Sequence, residues 1–432
     1  MIDFGLTAWW TIGVGVVVNS ACAILGCFLV LRRMSMLGDA ISHAVLPGLV
    51  LAYLLAGRTS IIPLFAGAMA TGILTALLVQ SLNRFGGVAE DAALGIVFTS
   101  LFAIGVLLIS NFASQVHIDV NCVLLGDLDT VPLLRANWYG VQVPRVFPRM
   151  LIALAAVVLF VALFWKELKI ASFDPALATA MGLSAVLIHY LLMGMTAVVS
   201  VAAFEAVGSV ISVAMLIVPA ATAQLLTDRL NRMILFSVAI AVVSSVVGFL
   251  LAKTFKANAA SMMGVAAGLQ FAAAVVFAPR HGLLSKAWNA LALATRIAAE
   301  DLAALLYRAD EIRPAGAVAG LTAGEMTETL GRGFVVRLAL QRLRRRGWVQ
   351  QPDGRRYTLS STGRRKAESL VRTHRLWETY LMEHFHLPLD HVHAPAERIE
   401  HFIGPELQQR LADSVAESAL DPHGREIPKS TE

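Results

Sequence analysis

Residues 35–55 read SMLGDAISHAVLPGLVLAYLL. The stretch is apolar and long enough to cross a lipid bilayer, yet it carries Asp39 and His43. Four residues apart on a helix, those two side chains share one face. A charge at membrane depth costs several kcal/mol, so such a residue faces a pathway, a partner or a helix end. An aspartate with a neutral imidazole suits a borderline divalent ion such as manganese, iron or zinc. The same two residues could also be structural, with the aspartate capping the helix and the histidine bonded to a neighbour. Residue types alone leave both readings open.

The surrounding chain favours a membrane setting. Of 432 residues, 57% are hydrophobic and only 15% charged, with a mean hydropathy of +0.68. An all-α polytopic membrane protein is therefore expected. Nine segments reach spanning length, at about residues 10–31, 36–55, 61–81, 89–110, 148–165, 184–203, 206–226, 231–252 and 259–278. Residues 112–147 are too polar to span and read as the longest loop. Arg32, Arg33, Arg84, Lys166, Lys169, Arg229, Arg232 and Arg280 fall in alternate loops, which the positive-inside rule places in the cytoplasm. Together with a C-terminal module of cytosolic character, this puts the N-terminus outside and residue 281 onward inside. The N-terminus lacks a basic region and a small-residue cleavage site, so the first apolar run reads as a retained helix. Cys22, Cys27 and Cys122 form no CxxC pair, so neither a disulfide framework nor a zinc-thiolate site is indicated.

Few other polar side chains fall inside the spans. His189 and Glu205 could each line a pathway or bond a neighbouring helix. Pro219 lies mid-span among small residues, which permit close helix approach. Residues 172–183, SFDPALATAMGL, begin as a capped short helix with Asp174 before Pro175 and sit in a cytoplasmic loop. That placement suggests a docking element. No GxxxxGK[ST] sequence occurs, so the chain has no P-loop with which to bind a nucleotide.

The stretches LRRMSMLGDAISHAVLPGLVLAYLL, EDAALGIVFTSLFAIGVLLIS, FDPALATAMGL and EAVGSVISVAMLIVPAATAQLLTDRL resemble, in order, the permeases of ABC importers for manganese, zinc or iron. The resemblance covers about residues 8–280. It implies a type II importer permease, homodimeric or paired with a related subunit, in a bacterial inner membrane. It also implies a separate cytosolic ATPase and an extracytoplasmic metal-binding protein. By the match, Asp39 and His43 correspond to pathway metal ligands. Residues 172–183 correspond to the element coupled to the ATPase, with Phe173, Asp174, Pro175, Ala178 and Gly182 its named positions. His189 and Glu205 stand in similar contexts as candidate pathway residues.

Hydropathy falls away near residue 280. Residues 282–312 read as an amphipathic helix and 313–320 as a linker. Residues 321–349 give a helix, a turn at Gly331–Gly333 and an Arg-rich helix. A hairpin with Asp353–Gly354 at its turn follows, completing a winged-helix pattern. Two further helices are expected at about 361–385 and 394–417. The resulting boundaries are a permease at 1–281, an amphipathic helix and linker at 282–317, a winged helix at 318–360 and metal-binding helices at 361–428.

The last segment holds His374 and Glu378 at one-turn spacing, His393, and Glu397, Glu400 and His401 at i, i+3 and i+4. Two helices facing each other with such residues make a nitrogen/oxygen site for manganese or iron(II). Isolated, the same residues would form a solvated charged face. LVRTHRLWETYLMEHFHL, HVHAPAERIEHFI and DPHGREIP resemble the diphtheria-toxin-repressor family of metal-dependent regulators over about residues 295–428. The resemblance assigns Glu397, Glu400 and His401 to a primary site and His374, Glu378 and His393 to an ancillary one. Asp301 falls at a first-helix ligand position, whereas Ala304 stands where an acidic ligand is expected. Glutamate at 397, where the iron type has cysteine, points to manganese.

Arg337, Arg342, Arg344, Arg345 and Arg346 could meet phosphates, but the segment offers few side chains for reading base edges. Anionic lipid headgroups are an equal match for those arginines. Three functions thus stand at this point. The first is a metal importer permease with a fused metal sensor. The others are a membrane-tethered, metal-dependent DNA-binding regulator and an ion-gradient-driven carrier.

Overall fold

The computed structural model describes residues 5–34, 36–56, 61–112, 126, 128–138, 141–314, 318–331, 333–415 and 420–429. The chain divides into two compact units, Met1–Ser285 and Lys286–Glu432.

The first unit is helical. Its elements are α1 (Leu6–Leu31), α2 (Leu37–Ala44), α3 (Leu46–Ala56), α4 (Ile61–Gly86) and α5 (Glu90–Phe112). A short hairpin follows, β1 (Arg135–Trp138) and β2 (Val141–Pro144), then α6 (Val146–Leu163), α7 (Trp165–Phe173) and α8 (Pro175–Ala180). The unit closes with α9 (Ala185–Val207), α10 (Ser209–Leu226), α11 (Leu230–Phe255) and α12 (Ala259–Phe277). Among the described residues nine spans are long and apolar enough to cross a membrane, the second made of α2 and α3 together. They coincide with the nine expected segments to within a few residues.

Helix α1 is the hub, packed on α6, α9, α10 and α11. Two features let it sit there. Gly26 lies so close to α10 that an added Cβ would stand 1.7 Å from the Leu216 carbonyl oxygen, so only glycine fits. The buried Asn19 donates from Nδ2 to the Ala241 carbonyl at 3.0 Å and the Ser244 hydroxyl at 2.9 Å. Polar links of this kind hold helices together where lipid provides no hydrophobic drive.

The second span is broken. α2 ends at Ala44, Val45 forms a turn, and α3 starts at Leu46. Pro47 explains the break, because it has no N–H for the His43 carbonyl and its ring crowds that oxygen. Pro219, by contrast, is carried inside a continuous α10.

The segment 112–147 lies partly outside the described residues, and with it Cys122. Its described part is not all loop. Residues 135–138 and 141–144 pair antiparallel, with Ala136 opposite Val143.

The second unit comprises α13 (Leu283–Glu311, whose first turn belongs to the first unit), β3 (Leu321–Thr322), α14 (Ala323–Leu330), α15 (Gly333–Arg345), β4 (Val349–Gln350) and β5 (Arg356–Leu359). Helices α16 (Ser361–Phe385), α17 (Leu389–Ile399) and α18 (Pro405–Ser414) complete it. The sheet order β3-β5-β4 with α14 and α15 is a winged helix. A capping box opens α14, with the Thr322 hydroxyl accepting from the Glu325 N–H and the Glu325 carboxylate accepting from the Thr322 N–H. Gly354 turns the β4–β5 hairpin at φ 70°.

Residues 282–312 form the expected helix, and its second half belongs to the winged-helix core. Ala299, Leu302 and Leu306 of α13 are buried in the winged-helix core against Met326, Val336, Leu340 and Leu343. The single helix expected at 394–417 is two, and the first begins at Leu389. The residue before a proline avoids helical geometry, so Gly404, extended at φ −80° and ψ 168°, starts α18 at Pro405. The residues around 401 therefore leave the helix and turn back onto α13 and α16.

Candidate metal sites

Asp39 lies in the first turn of α2 and His43 in its last. The His43 Nε2 is 3.6 Å from the Asp39 Oδ1, and the two side chains are 39% and 48% exposed. Phe98 and Phe102 of α5 flank the imidazole, with centroids 5.8 and 6.0 Å away. The pair is thus held against apolar walls with its polar side open. Among the described residues no third carboxylate, imidazole or thiol joins the pair into a set of three.

The other polar residues of the spans have different partners. Glu205 of α9 is ion-paired with Arg149 of α6. His189 contacts Arg32, whose Nη1 lies 3.5 Å from the His189 Nδ1 and whose Nε donates to Ser172 at 3.1 Å. A guanidinium against the ring makes His189 a poor neighbour for a cation. Neither residue lies with Asp39 and His43 in one cluster.

At residues 172–183 the chain forms the short helix α8. The Asp174 carboxylate accepts from the Leu177 N–H at 2.9 Å, an N-cap reinforced by Pro175 in the first turn. Ala178 is buried, whereas Phe173, Leu177 and Met181 are each at least half exposed. Gly182 ends the element at φ 79°, a conformation that favours glycine. A capped short helix with one exposed apolar side chain on it and one flanking each end is suited to docking.

In the second unit the ligand-type residues converge. The His374 Nδ1 lies 2.5 Å from the Glu400 Oε2, and its Nε2 lies 3.0 Å from the Glu378 Oε1 and 3.1 Å from the His393 Nδ1. The His393 Nδ1 is itself 2.8 Å from the Glu378 Oε1. A second group forms one step away. The His401 Nε2 lies 3.0 Å from the Asp301 Oδ1 and 3.9 Å from the Glu400 Oε1, and its Nδ1 lies 2.9 Å from the Glu300 Oε2. Two sets of three ligand atoms result, His374–Glu378–His393 and Asp301–Glu400–His401, each within 4.8 Å. Glu400 touches both, one oxygen toward each.

Nearly all of these groups are buried. His374, Glu378, Glu400, His401 and Glu300 are each less than 10% exposed, whereas His393 lies at the surface. So dense a packing of carboxylates and imidazoles shifts their protonation. Burial alone would lower the His401 pKa, but hydrogen bonds to Asp301 and Glu300 overcome it and push the imidazole up to about 10. For Glu378 burial opposes ionisation, yet His374 and His393 draw its pKa down to about 2. His374 is raised, its bonds to Glu378 and Glu400 outweighing burial. Charge-assisted bonds therefore tie the cluster together. A divalent ion can replace those protons among the same donors, so the donor set fits a metal of the manganese or iron type.

The sequence reading placed Glu397 with Glu400 and His401. Glu397 lines a cleft with Asp301 and His401 but is exposed and belongs to neither set of three. Asp301, already placed at a first-helix ligand position, stands in the set of three with Glu400 and His401. Ala304 is 4% exposed in the packed face of α13, which leaves no room for the acidic ligand considered there. Two residues escaped the sequence reading. Glu300 holds His401 by its far nitrogen, so that Nε2 points to Asp301, and Arg296 neutralises it at 3.1 Å. The signal was Glu300 standing directly before Asp301 on the amphipathic helix α13. His423, in the quoted DPHGREIP, lies 3.9 Å from Glu378 and lines the cleft of about 390 Å³ that opens on His374, Glu378 and His393. The tail carrying it is fixed by the buried Arg375, which reaches Glu311 at 2.6 Å and Asp421 at 3.3 Å.

Comparison with known proteins gives these sites their setting. Residues 2–278 match the model of the ABC 3 transport family. The chain belongs to that family. It is a transport permease and a multi-pass membrane protein, not an enzyme by family. Residues 360–429 match the iron dependent repressor, metal binding and dimerisation domain. Over 278 residues the chain is 46% identical to the manganese transport system membrane protein MntD of Bacillus subtilis, covering 64% of this chain and 94% of that one. It is 41% identical over 273 residues to the zinc transport system membrane protein TroD of Treponema pallidum, covering 63% and 74%. Among solved structures, PsaBC from Streptococcus pneumoniae in complex with Fab superposes with a TM-score of 0.54 at 35% identity, covering 65% of this chain and 94% of that chain. Family membership sets aside the ion-gradient carrier.

Proposed function

We propose that the chain is the permease subunit of an importer for a divalent transition metal, manganese first and iron or zinc next. Asp39 and His43 handle the ion in transit. The observation that carries this reading is their pairing on one half-exposed helix face of a transport permease. A second permease subunit, identical or related, would supply a facing pair and so complete a coordination shell. An extracytoplasmic binding protein would deliver the ion, and a cytosolic ATPase would dock on residues 172–183. Carboxylate and imidazole donors without thiolate favour manganese, which the 46%-identical relative is named for transporting.

The fused domain takes the role of a cytosolic metal sensor. Asp301, Glu400 and His401 would hold one ion and His374, Glu378 and His393 another, each supplying a fixed charge that ties α13, α16 and α17 together. The N-terminus lies outside, and the domain lies in the cytosol of a bacterial inner membrane. Boundaries near 281, 317 and 360 separate its parts. Sensing would throttle uptake when internal metal is plentiful. The test is metal uptake by proteoliposomes holding the permease, its ATPase and its binding protein. His43→Ala should abolish uptake while the fused domain still binds metal. Normal uptake by that variant would refute the assignment.

A further inference from the structure

The winged helix carries a surface that neither transport nor metal sensing uses. Residues 333–366 hold ten basic side chains and one acidic one, Asp353. On α15 the buried face is Val336, Ala339, Leu340 and Leu343. The opposite face presents Phe334, which is 67% exposed, followed by Arg337, Arg344 and Arg345. Arg346 lies over the Trp348 ring at 5.4 Å, and Arg355 stands exposed on the wing.

The chemistry of that face is not that of base reading. A recognition helix contacts base edges through its N-terminal residues. Here residues 333–340 are Gly-Phe-Val-Val-Arg-Leu-Ala-Leu, with one polar side chain. The most exposed residue of that turn is an aromatic, where a groove-reading helix needs amides and hydroxyls. A helix with cations and an exposed phenylalanine on one face has the composition of an interfacial element.

A second observation points to the same partner. Helix α13 opens with Leu283, Leu284, Lys286 and Trp288, all exposed. Only residues 278–282 separate it from the last membrane span. Leucine, lysine and tryptophan at that distance from a span are interfacial anchors. At about 1.5 Å per helical residue and about 3.5 Å per extended one, Ala299 in the domain core stays within roughly 40 Å of the bilayer. Tethering so short keeps lipid headgroups at high effective concentration.

We propose that the basic face of the winged helix, Phe334, Arg337, Arg344, Arg345, Arg346 and Arg355, docks on the anionic lipid headgroups of the membrane that holds the permease. The arginines neutralise headgroup charge and Phe334 enters the headgroup layer. The proposal stands apart from the metal reading, since none of these residues is a candidate ligand.

The experiment uses the full chain in nanodiscs of phosphatidylcholine alone or with about 30% phosphatidylglycerol, a charge density that attracts each arginine appreciably. Amide hydrogen exchange of residues 333–359 is followed. Anionic discs should slow exchange there at least severalfold at low salt, and about 0.5 M salt should reverse the effect. Arg337→Gln, Arg344→Gln and Arg345→Gln together should lower the docking equilibrium constant about 100-fold and so abolish the protection. Phe334→Ser, which leaves the core untouched, should weaken docking with all charges in place. Unchanged exchange of residues 361–385 shows that either variant is folded. Equal exchange in neutral and anionic discs would overturn the proposal. So would protection of residues 333–359 by duplex DNA in neutral discs with none from anionic lipid, which would make the face a nucleic-acid surface instead.

Discussion

The two candidate metal sites use the same residue types in opposite ways. Asp39 and His43 come from one short helix, lie 3.6 Å apart and leave nearly half of each side chain open. The cluster of the second unit draws its groups from α13, α16, α17 and the turn after α17, and buries most of them below 10% exposure. An ion in transit must leave, so its site needs few ligands and an open side. A site that reports a concentration must hold the ion, so it needs a full donor set fixed by neighbours. On the function proposed above, sparse against dense coordination is the difference that separates carrying from sensing.

That comparison breaks most visibly if the sparse site is removed. Asp39→Ala should reduce metal uptake by about 100-fold or more, since changes merely outside a coordination shell already cost 10–100-fold. Calorimetry on the same variant should find cytosolic metal binding unchanged. A matching loss there would mean that the two sites are not independent.

The dense site should fail separately. Glu400 reaches both ligand sets, so Glu400→Gln should weaken cytosolic binding about 100-fold. Initial uptake into metal-poor vesicles should be unaffected, as followed by a metal-responsive dye.

Acidity sharpens the contrast further. His401 is raised to about 10 when metal-free. Its protonated form stabilises the metal-free fold fully below the ordinary histidine pKa of about 6.5, and that contribution is lost as pH rises through about 10. Metal must displace the same proton. Affinity of the second unit's site should therefore climb about tenfold per pH unit between pH 7 and 9, while the thermal stability of the domain without added metal falls. Titrations at three pH values check both signs. A flat affinity would show that His401 is not a ligand.

The smallest effect is expected at Glu300. It orients His401 without joining either set of three, so Glu300→Gln should cost about tenfold in affinity and nothing in stoichiometry. A change in the number of ions bound would make Glu300 a ligand.

The spans were legible because hydropathy is a local property, and so was α8, announced by Asp174–Pro175. The break after Ala44 had its signal in Pro47, which went unread because the apolar run continues past it. Gly404–Pro405 likewise announced the split between α17 and α18, hidden by a helical pattern on both sides. The hairpin at 135–144 has strands too short to show alternation. What could not be read from spacing was the part of Glu300 and the contact of α13 with His401. Glu300 and Asp301 meet His401 across 100 residues, and only the packing of Ala299, Leu302 and Leu306 brings α13 to them. The resemblance named both Glu397 and Asp301; Glu397 stays exposed, whereas the packing of α13 brings Asp301 to His401.

One comparison tests the central claim that a single ion class is handled twice. Proteoliposomes carrying the permease with its ATPase and binding protein would be loaded inside with or without manganese, and uptake measured for the native chain, His43→Ala and Glu400→Gln. The native chain should slow when the lumen is loaded. Glu400→Gln should transport at the same rate in both, and His43→Ala should transport in neither. Uptake by His43→Ala, or a Glu400→Gln chain that still slows with internal manganese, would contradict the account.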